Sequence, residues 1–226
     1  MQHINTPDTR LRSAIPYLKN GGRVADIGTD HAYLPIYLVQ QNIVSYALAC
    51  DINKGPILSA RANIAAAGLS NRIDTLQTDG LHGVDAFSPD DIMIFGMGGE
   101  LIVRILSEAP WIKEKSIGLI LQPMSRSSVL RRWLIENGFS ITGETLTFED
   151  KYYQTIAARY TGETEIYTDT ELLVGRHNMQ TRPPLFEGFV RHEIKVLDTV
   201  IAGKSRSERA DTQFEALMKQ NLEELL

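Results

Sequence analysis

Length, composition and charge limit the class of protein to which this chain can belong. The sequence has 226 residues, of which 43% are hydrophobic and 23% are charged, and this suits a soluble domain with a smaller addition. No apolar run is long enough to cross a membrane, and the first residues contain no hydrophobic signal core. The single cysteine, Cys50, excludes an internal disulfide and a cysteine-rich metal site. We therefore expect a cytoplasmic protein without a membrane partner or a bound metal.

The net charge of −5 argues weakly against a partner that is held mainly by bulk electrostatics, because phosphate binding relies on Lys and Arg. Most of the acidic excess lies after residue 160. A nucleic-acid partner remains open, since a local basic patch on an acidic protein is sufficient.

The first 160 residues alternate between buried strands and helices. Apolar runs that end in Gly or Asp predict strands at 23–28, 45–51, 72–79, 90–96 and 116–123. Helices are predicted at 9–19, 32–41, 55–68, 99–107 and 126–137. A final hairpin is predicted over 139–150 and 151–160. The pattern predicts an α/β, Rossmann-like, doubly wound sheet with an antiparallel edge hairpin.

After residue 160 the pattern becomes helical. Two amphipathic stretches, at about 187–203 and 206–226, predict an antiparallel helix pair with a short link. The second stretch places its apolar side chains on one face, and these are Phe214, Leu217, Met218, Leu222 and Leu225. We expect a cofactor-binding catalytic domain over 1–160 and a small helical domain over 161–226.

Polar and glycine residues gather at the carboxyl ends of the predicted strands. Ligands of open α/β sheets bind at this edge, where the strand order reverses. The first strand leads to Asp26, Gly28, Asp30 and His31, the second to Asp51 and Asn53, and the third to Asp79 and Gly80. The fourth leads to Gly96, Met97, Gly98 and Gly99, and the fifth to Gln122, Pro123 and Met124. We expect these residues to form one site.

The residue types at this edge favour a nucleoside cofactor without a diphosphate. Asp51 could accept both ribose hydroxyls, Asp79 could accept the adenine amino group, and Gly28 would let the backbone approach the ligand. A G-x-G-x-x-G fingerprint is absent, and Asp30 would repel a diphosphate. S-adenosylmethionine fits better, because Asp26 or Asp30 could meet its ammonium group. The alternative is that the acids are only helix N-caps, but acids at three successive strand ends favour a site.

Several stretches between about residue 9 and residue 160 form a recognisable series. In chain order they read TRLRSAIPYL, VADIGTDHAYLP, DINKGPILSARANIAAAGL, DTLQTDGL, IFGMGGELI, LILQPM and KYYQTIAARY. This series resembles the bacterial tRNA (adenine-22-N1)-methyltransferases, the TrmK-like family. The resemblance implies a class I methyltransferase sheet with S-adenosylmethionine around the strand-end residues above, and Gly96 to Gly99 near the transferable methyl. It also implies tRNA as the substrate and N1 of an adenine as the acceptor.

The chain departs from this family at one position beside the presumed base pocket. The family usually reads Q-P-N where this chain has Gln122, Pro123 and Met124. An asparagine would present an amide to the base, whereas a thioether is a weak acceptor. Either a neighbouring group has taken over the contact, or the target differs.

The sequence also offers candidates for substrate contacts. Attack by adenine N1 needs little help from a general base, so catalysis should rest on alignment in a dry pocket. A base in structured RNA must leave its stack, and the aromatic residues that could receive it are Tyr33, Tyr152 and Tyr153. Phosphate contacts are expected from Arg10, Arg12, Arg126, Arg131 and Arg132. The alternatives are ordinary packing for the tyrosines and a solvated helix face for the arginines.

Other functions remain open at this point. The runner-up is a methyltransferase for another RNA base or a small molecule, which Met124 and the acidic tail support. A non-catalytic cofactor-binding module would have no use for the strand-end acids, and an NAD-dependent oxidoreductase would need the missing phosphate fingerprint. The sequence leaves the oligomeric state open between a monomer and a weak dimer.

Overall fold

The computed structural model describes residues 7–205 and 211–226. In these ranges the strands are β1 (Arg23–Ile27), β2 (Tyr46–Asp51), β3 (Ile73–Gln77), β4 (Asp91–Met97), β5 (Gly118–Pro123), β6 (Phe139–Phe148) and β7 (Tyr152–Tyr160). The helices are α1 (Thr9–Arg12), α2 (Tyr33–Gln40), α3 (Lys54–Ala66), α4 (Gly99–Ser107), α5 (Ser127–Glu136), α6 (Asp169–Val174), α7 (Arg176–Thr181), α8 (Phe186–Lys204) and α9 (Gln213–Glu223). The part of the second predicted C-terminal helix at 206–210 lies outside the described residues.

The strands form a single seven-stranded sheet in the order β3-β2-β1-β4-β5-β7-β6. Strands β1 to β5 are parallel, and β7 pairs antiparallel with both β5 and β6. The chain builds outward from β1 to β3 and then returns to add β4 on the other side of β1. The strand order therefore reverses between β1 and β4, which is where a ligand crevice forms in such folds. The predicted Rossmann-like sheet with an antiparallel edge hairpin is confirmed.

The central strands are apolar because helices cover the parallel part of the sheet on both faces. All six residues of β5 are buried, and so are four of the five residues of β1. Helix α4 presents Ile102, Ile105 and Leu106 to this core, while its charged residues remain outside. The buried layers hold the carboxyl ends of β1, β2, β4 and β5 in fixed register, and this fixes the residues that follow them.

The predicted helix over 9–19 is wrong in its length. Helix α1 ends at Arg12, and a separate turn of 3-10 helix covers Ile15–Tyr17. Pro16 explains the break, because it has no N–H to donate to the carbonyl of Arg12 and it disfavours a helical conformation at the preceding residue. Asp8 is the N-cap of the short helix α1, because its carboxylate accepts the Leu11 N–H at 2.8 Å.

The chain divides into two compact units between Glu165 and Ile166. The second unit contains α6 and α7 as well as the two predicted long helices. The sequence analysis missed α6 although Thr168 and Glu171 form a capping box at its start. In the described parts of the chain, no helix is long and apolar enough to cross a membrane.

Helices α8 and α9 are antiparallel, as predicted. Lys204 pairs with Glu215 at 2.6 Å, and Lys219 pairs with Asp198 at 2.7 Å, so positions rise along one helix as they fall along the other. The predicted apolar face of α9 is only partly correct. Met218 and Leu222 are buried, whereas two other members of that face, Phe214 and Leu217, are exposed.

Candidate active site

Two adjoining cavities lie at the carboxyl edge of the sheet, where the strand order reverses. One has a volume of about 360 Å³, and we call it the Asp51 cavity. The other has a volume of about 420 Å³, and we call it the Asp26 cavity. Gly28, Phe95 and Gly96 line both of them. The carboxyl ends of β1 and β4 therefore form the boundary between the two cavities.

Most of the predicted cofactor residues line these two cavities. Those that line the Asp26 cavity are Asp26, Gly28, Asp30, His31 and Gly96. Those that line the Asp51 cavity are Gly28, Asp51, Asn53, Asp79, Gly80, Gly96 and Met97. Gly98 is the one predicted cofactor residue that lines neither, and it immediately precedes α4. The predicted convergence follows because parallel strands present their carboxyl ends at the same edge of the sheet.

Two carboxylates and an apolar wall define the Asp51 cavity. One oxygen of Asp51 accepts the Asn53 N–H at 2.7 Å, and within the described residues no protein donor reaches the other oxygen. Asp79 accepts a hydrogen bond of 3.2 Å from Nη2 of Arg104. Leu101 and Ile105 of α4 supply apolar surface to the same cavity. The arrangement can hold a flat apolar ring between groups that accept hydrogen bonds.

Glycine is favoured at position 28 because its backbone lies in the left-handed region, with φ +81°. A Cβ there would also lie 2.3 Å from Cε of Met97, the flexible end of that side chain. The N–H groups of Gly28 and Thr29 both donate to the carbonyl oxygen of Cys50, at 2.9 and 2.8 Å. These bonds fasten the loop after β1 to the end of β2, where the two cavities meet beside the Met97 side chain.

Gly96 forms an irregularity near the end of β4. The pairing of β4 with β5 shifts register between Phe95 and Met97, and Gly96 has φ +77°. A bulge of this kind re-aims the residue that follows it. Met97 consequently lines the Asp51 cavity beside Gly28.

Acidic side chains dominate the polar wall of the Asp26 cavity. Asp26 is buried, and burial, with a further contribution from the nearby charge of Asp51, raises the pKa of its carboxyl from 3.8 to about 6. Asp30 is exposed beside Nε2 of His31 at 3.4 Å, and Asp8 also lines the wall. A cationic group that entered this cavity would be attracted to these carboxylates, and it would favour the charged form of Asp26.

The donor set of the two cavities fits S-adenosylmethionine. The cofactor requires an acceptor for ribose hydroxyls, an apolar slot for adenine and an anionic wall for the ammonium. The second Asp51 oxygen, the α4 wall and Asp26 supply these in that order, and Gly28 lies between the two cavities, where the sulfonium would be held. A diphosphate would instead meet the Asp30 carboxylate at the start of the loop before α2.

Two backbone hydrogen bonds join the loop after β4 to the loop after β5. The Met124 N–H donates to the Met97 carbonyl at 2.8 Å, and the Gly99 N–H donates to the Ser125 carbonyl at 2.8 Å. Pro123 is buried, whereas Met124 is 37% exposed. Position 124 is thus anchored by its backbone beside the loop that contains Met97, although Met124 lines neither cavity.

Gln122 was expected in the strand-end site, but it lines neither cavity and its side chain is held inside the protein. Gln122 is fully buried, its Oε1 accepts from Nη1 of Arg10 at 2.8 Å, and its Nε2 donates to the Arg10 carbonyl at 3.3 Å. The same Nε2 lies 3.4 Å from Oγ1 of Thr155. The amide is already used inside the protein, so Gln122 positions its neighbours. Arg10 itself lines the Asp26 cavity.

Tyr153 does not present a free ring face to a base, which agrees with the alternative of ordinary packing. Its side chain is buried, with the Arg10 guanidinium 5.5 Å and the Lys151 Nζ 5.4 Å from the ring centroid. Its hydroxyl donates to Asp150 at 2.7 Å. Tyr153 therefore supports Arg10.

The predicted phosphate contact of Arg131 is also wrong. Arg131 is fully buried, and its guanidinium lies 2.7 Å from Glu144 and 2.7 Å from the Gln154 amide oxygen. A guanidinium in this position cannot reach a phosphate in solvent. Arg126 and Arg132 are exposed, and Arg126 lies 3.8 Å from Glu100.

Several residues of the cavity walls were not predicted from the sequence. Among them are Asp8, Phe95, Leu101 and Arg104. Asp8 could have been found, because it directly precedes a predicted helix as an N-cap does. Nothing in the sequence pattern indicates that Arg104 turns toward Asp79. In the described residues, no three His, Cys, Asp or Glu side chains form a group that could hold a metal ion.

The strand order and the cavity at the β1–β4 reversal define a Rossmann-like methyltransferase. The family model for TrmK, described as tRNA (adenine(22)-N(1))-methyltransferase, matches residues 24–224. The chain is 38% identical to the tRNA (adenine(22)-N(1))-methyltransferase of Bacillus subtilis over 170 residues, which cover 74% of this chain and 70% of that protein. The chain therefore belongs to the tRNA (adenine(22)-N(1))-methyltransferase family.

Solved structures of similar proteins contain the expected cofactor. A Streptococcus pneumoniae protein in complex with S-adenosyl-L-methionine is similar with a TM-score of 0.86 and 29% identity, over 98% of this chain and 100% of that one. Mycoplasma capricolum TrmK in complex with S-adenosyl-homocysteine is similar with a TM-score of 0.78 and 27% identity, over 98% and 96%. The predicted cofactor, S-adenosylmethionine, and the predicted class of enzyme, a tRNA methyltransferase, are confirmed.

Proposed function

We propose that this protein transfers a methyl group from S-adenosylmethionine to N1 of adenine 22 in tRNA, in the cytoplasm. The observation that carries the proposal is the junction of two cavities at Gly28 and Gly96, with Asp51 on one side and Asp26 on the other. Membership of the family supports the substrate, and the donor set of this junction supports the cofactor. Residues 1–160 carry the chemistry, and the helical domain over 161–226 assists in holding the tRNA.

The bound cofactor supplies an electrophilic methyl group on a sulfonium, and the protein's own residues supply the alignment. Asp51 and Asp79 hold the nucleoside end, and Asp26 or Asp30 meets the ammonium end. Adenine N1 is unprotonated at neutral pH, so no side chain needs to remove a proton before attack. The product base is cationic, and the carboxylates of the Asp26 cavity stabilise it relative to neutral surroundings.

Tyr33 is the best placed of the three predicted aromatic residues to receive the target base. It lines the Asp26 cavity, its side chain is 46% exposed, and its ring lies 5.3 Å from the His31 ring at an interplanar angle of 39°. An exposed ring backed by a second ring can stack on a base that has left the RNA. Phe95 supplies further apolar surface to the same cavity.

Two exposed arginines supply phosphate contacts: Arg126 directly before α5, and Arg132 within it. Both are exposed, and Arg126 directly follows the loop that hydrogen-bonds to the Met97 region. Contacts of this kind set the register of the RNA without reading its sequence. They also suit a protein with a net negative charge, because they need only a local patch.

Transfer of a labelled methyl group to two matched tRNA transcripts tests the proposal. One transcript has the natural adenine at position 22, and the other has guanine there. We expect label in the first transcript only, and none in either with Asp51→Ala at cofactor concentrations near the wild-type Kd. Equal labelling of both transcripts would contradict the proposed position, and no labelling by the wild-type protein would contradict the proposed substrate.

A further inference from the structure

Two aromatic rings meet near the tip of the β6–β7 hairpin. Phe148 and Tyr152 are directly opposite in the strand register, and their ring centroids are 4.8 Å apart at an interplanar angle of 58°. Phe148 is 51% exposed, although a side chain of this kind is normally buried. We call this pair the aromatic ledge.

The hairpin carries the aromatic ledge to the edge of the sheet where the cavities lie. Strand β7 runs antiparallel to β5, with Ile156 opposite Leu121, so its first residues extend past the carboxyl end of β5. Tyr152 is four residues before Ile156, which places it about 13 Å further along the strand direction. The turn beside it is tied to the Asp26 cavity, because Glu149 accepts the Arg10 N–H at 3.1 Å.

The aromatic ledge lies on the α5 face of the hairpin. Tyr152 and Gln154 are two positions apart on one strand and so project to the same face. The Gln154 Nε2 donates to Oγ of Ser127 at 3.1 Å, and Ser127 is the first residue of α5. Arg126 precedes it with a side chain that is 69% exposed. The rings thus share a side of the molecule with an exposed guanidinium.

The two acids at the hairpin tip are engaged on the protein side. Glu149 accepts the Arg10 N–H, and Asp150 accepts the Tyr153 hydroxyl at 2.7 Å. These hydrogen bonds fix the positions of the two carboxylates but leave their negative charges in place. The attraction of a nucleotide to this surface must therefore come from ring stacking and from Arg126. An exposed aromatic ring near a basic side chain is a usual feature of a surface that binds unpaired nucleotides.

We propose that the aromatic ledge stacks on the nucleotide next to the target adenine. The inference rests on the proposed function, because it needs an RNA substrate whose target base leaves the helix. When that base leaves, its neighbour loses a stacking partner, and this loss is part of the cost of base flipping. The rings of Phe148 and Tyr152 replace the lost contact at a place outside the methyl-transfer cavity. Stacking is tolerant of base identity, so the ledge assists binding without selecting a sequence.

A double-mutant cycle between protein and RNA tests the aromatic ledge. Phe148→Leu keeps an apolar surface and removes the ring, and it is combined with tRNA that has an abasic residue immediately 5′ or 3′ of the target. We expect Phe148→Leu to weaken binding of intact tRNA about tenfold. With one of the two abasic tRNAs the same substitution should have almost no effect, because the stacking partner is already missing.

Two further variants control this experiment. Phe148→Trp retains a stacking surface and should bind intact tRNA at least as tightly as the wild type. Leu58→Ala removes an exposed apolar side chain from α3, 53% exposed, and should leave the tRNA Kd unchanged. The affinity for S-adenosylhomocysteine should be the same in all variants, since position 148 lines neither cavity.

The possible results separate the aromatic ledge from the proposed function. The first possible result is that the wild-type protein methylates tRNA and that Phe148→Leu binds all three tRNAs as the wild type does. In that case the proposed stacking by the aromatic ledge is wrong, and the proposed function stands. Equal weakening of all three tRNAs would also overturn stacking on a neighbouring base. If Phe148→Leu alters only the sedimentation coefficient of the protein, the rings are a self-association surface and the proposal is overturned. Failure of the wild type to methylate any tRNA would remove the proposed function itself.

Discussion

Arg10 and Gln122 are 112 positions apart in sequence and hold each other through two hydrogen bonds. The Arg10 guanidinium donates to the Gln122 amide oxygen at 2.8 Å, and the Gln122 amide nitrogen donates to the Arg10 carbonyl at 3.3 Å. A third contact joins Ser13 to Thr155 at 2.6 Å between their hydroxyl oxygens. These contacts fasten the short helix α1 and the residue after it to the carboxyl end of β5 and to β7. Arg10 and Leu11 of α1 therefore form part of the wall of the Asp26 cavity.

Replacement of Arg10 should lower the rate of methyl transfer more than the affinity for the cofactor. Arg10→Ala leaves the buried Gln122 amide oxygen without its donor, at a cost of about 1–3 kcal/mol in the free energy of unfolding. Displacement of α1 should reduce kcat about tenfold or more, because small misalignments are costly. Thr9→Ala is the control, since Thr9 is an exposed residue of the same helix. A kcat that is unchanged in Arg10→Ala would separate α1 from the chemistry.

The stability of the free protein should fall as the pH rises through the folded-state pKa of Asp26. Burial raises this pKa from 3.8 to about 6, so the folded state holds a proton that the unfolded state has released. The contribution is fully present below about pH 3.8 and is lost by about pH 6, and it amounts to about 3 kcal/mol. Asp26→Asn should remove this part of the pH dependence, which denaturant unfolding from pH 4 to pH 8 would measure. Parallel curves for the two proteins would contradict the raised pKa.

The pH dependence of cofactor affinity should also reflect the protonation of Asp26. An ammonium beside Asp26 favours the charged carboxylate, so the affinity for S-adenosylhomocysteine should decrease as the pH falls below about 6. Asp26→Asn should bind less tightly at pH 8 and lose this dependence. Calorimetry at pH 5 and pH 8 is the measurement, with Asp74→Asn as a control on the exposed part of β3. Identical pH dependence in Asp26→Asn would assign the ammonium contact to Asp30 or Asp8.

The arginines at positions 126, 131 and 132, in and directly before α5, should separate into two classes. Arg131→Ala leaves Glu144 buried without its guanidinium, and it should destabilise the protein by about 3–5 kcal/mol. Arg126→Ala and Arg132→Ala should change stability by less than about 0.5 kcal/mol. Each should lower the salt dependence of tRNA binding by about one unit of slope, in a plot of log K against log salt. An unchanged slope in both would make them an ordinary solvated surface.

The sequence predicted the sheet and the convergence of the site for one physical reason. Apolar runs that end in Asp or Gly are buried parallel strands, and parallel strands place their carboxyl ends at a common edge. Asp26, Asp51 and Asp79 therefore reach the same crevice although they are far apart in the chain. Local patterns also sufficed for the hairpin and for α4, whose bounds match the prediction.

Contacts between distant residues were beyond the reach of such patterns. Helical periodicity places Arg131 and Arg132 side by side, but it cannot say that Arg131 meets Glu144 of β6 in the interior. The pairing of Gln122 with Arg10 depends on how α1 packs on the sheet. This packing in turn depends on the early end of α1, which Pro16 causes. The role of Gln122 was mistaken because a polar residue at a strand end can face either the ligand or the core.

Met124 should tolerate asparagine without loss of activity. Its backbone N–H is held by the Met97 carbonyl, so a side-chain change should leave the loop in place. If neighbouring groups read the base, Met124→Asn should keep or raise the rate of adenine methylation, because it restores an amide beside the base. Met124→Leu is the control for shape. A large loss of activity in Met124→Asn alone would show that the thioether has a specific role.

The identity of the methylated nucleoside tests the central claim most directly. Unmodified tRNA is incubated with the protein and S-adenosylmethionine, digested to nucleosides and analysed by mass spectrometry against standards of the isomeric methyladenosines. The account predicts N1-methyladenosine as the new product, and its absence when adenine 22 is replaced by guanine. A different methylated base, or no product from a panel of unmodified bacterial tRNAs that bind to the protein, would contradict it.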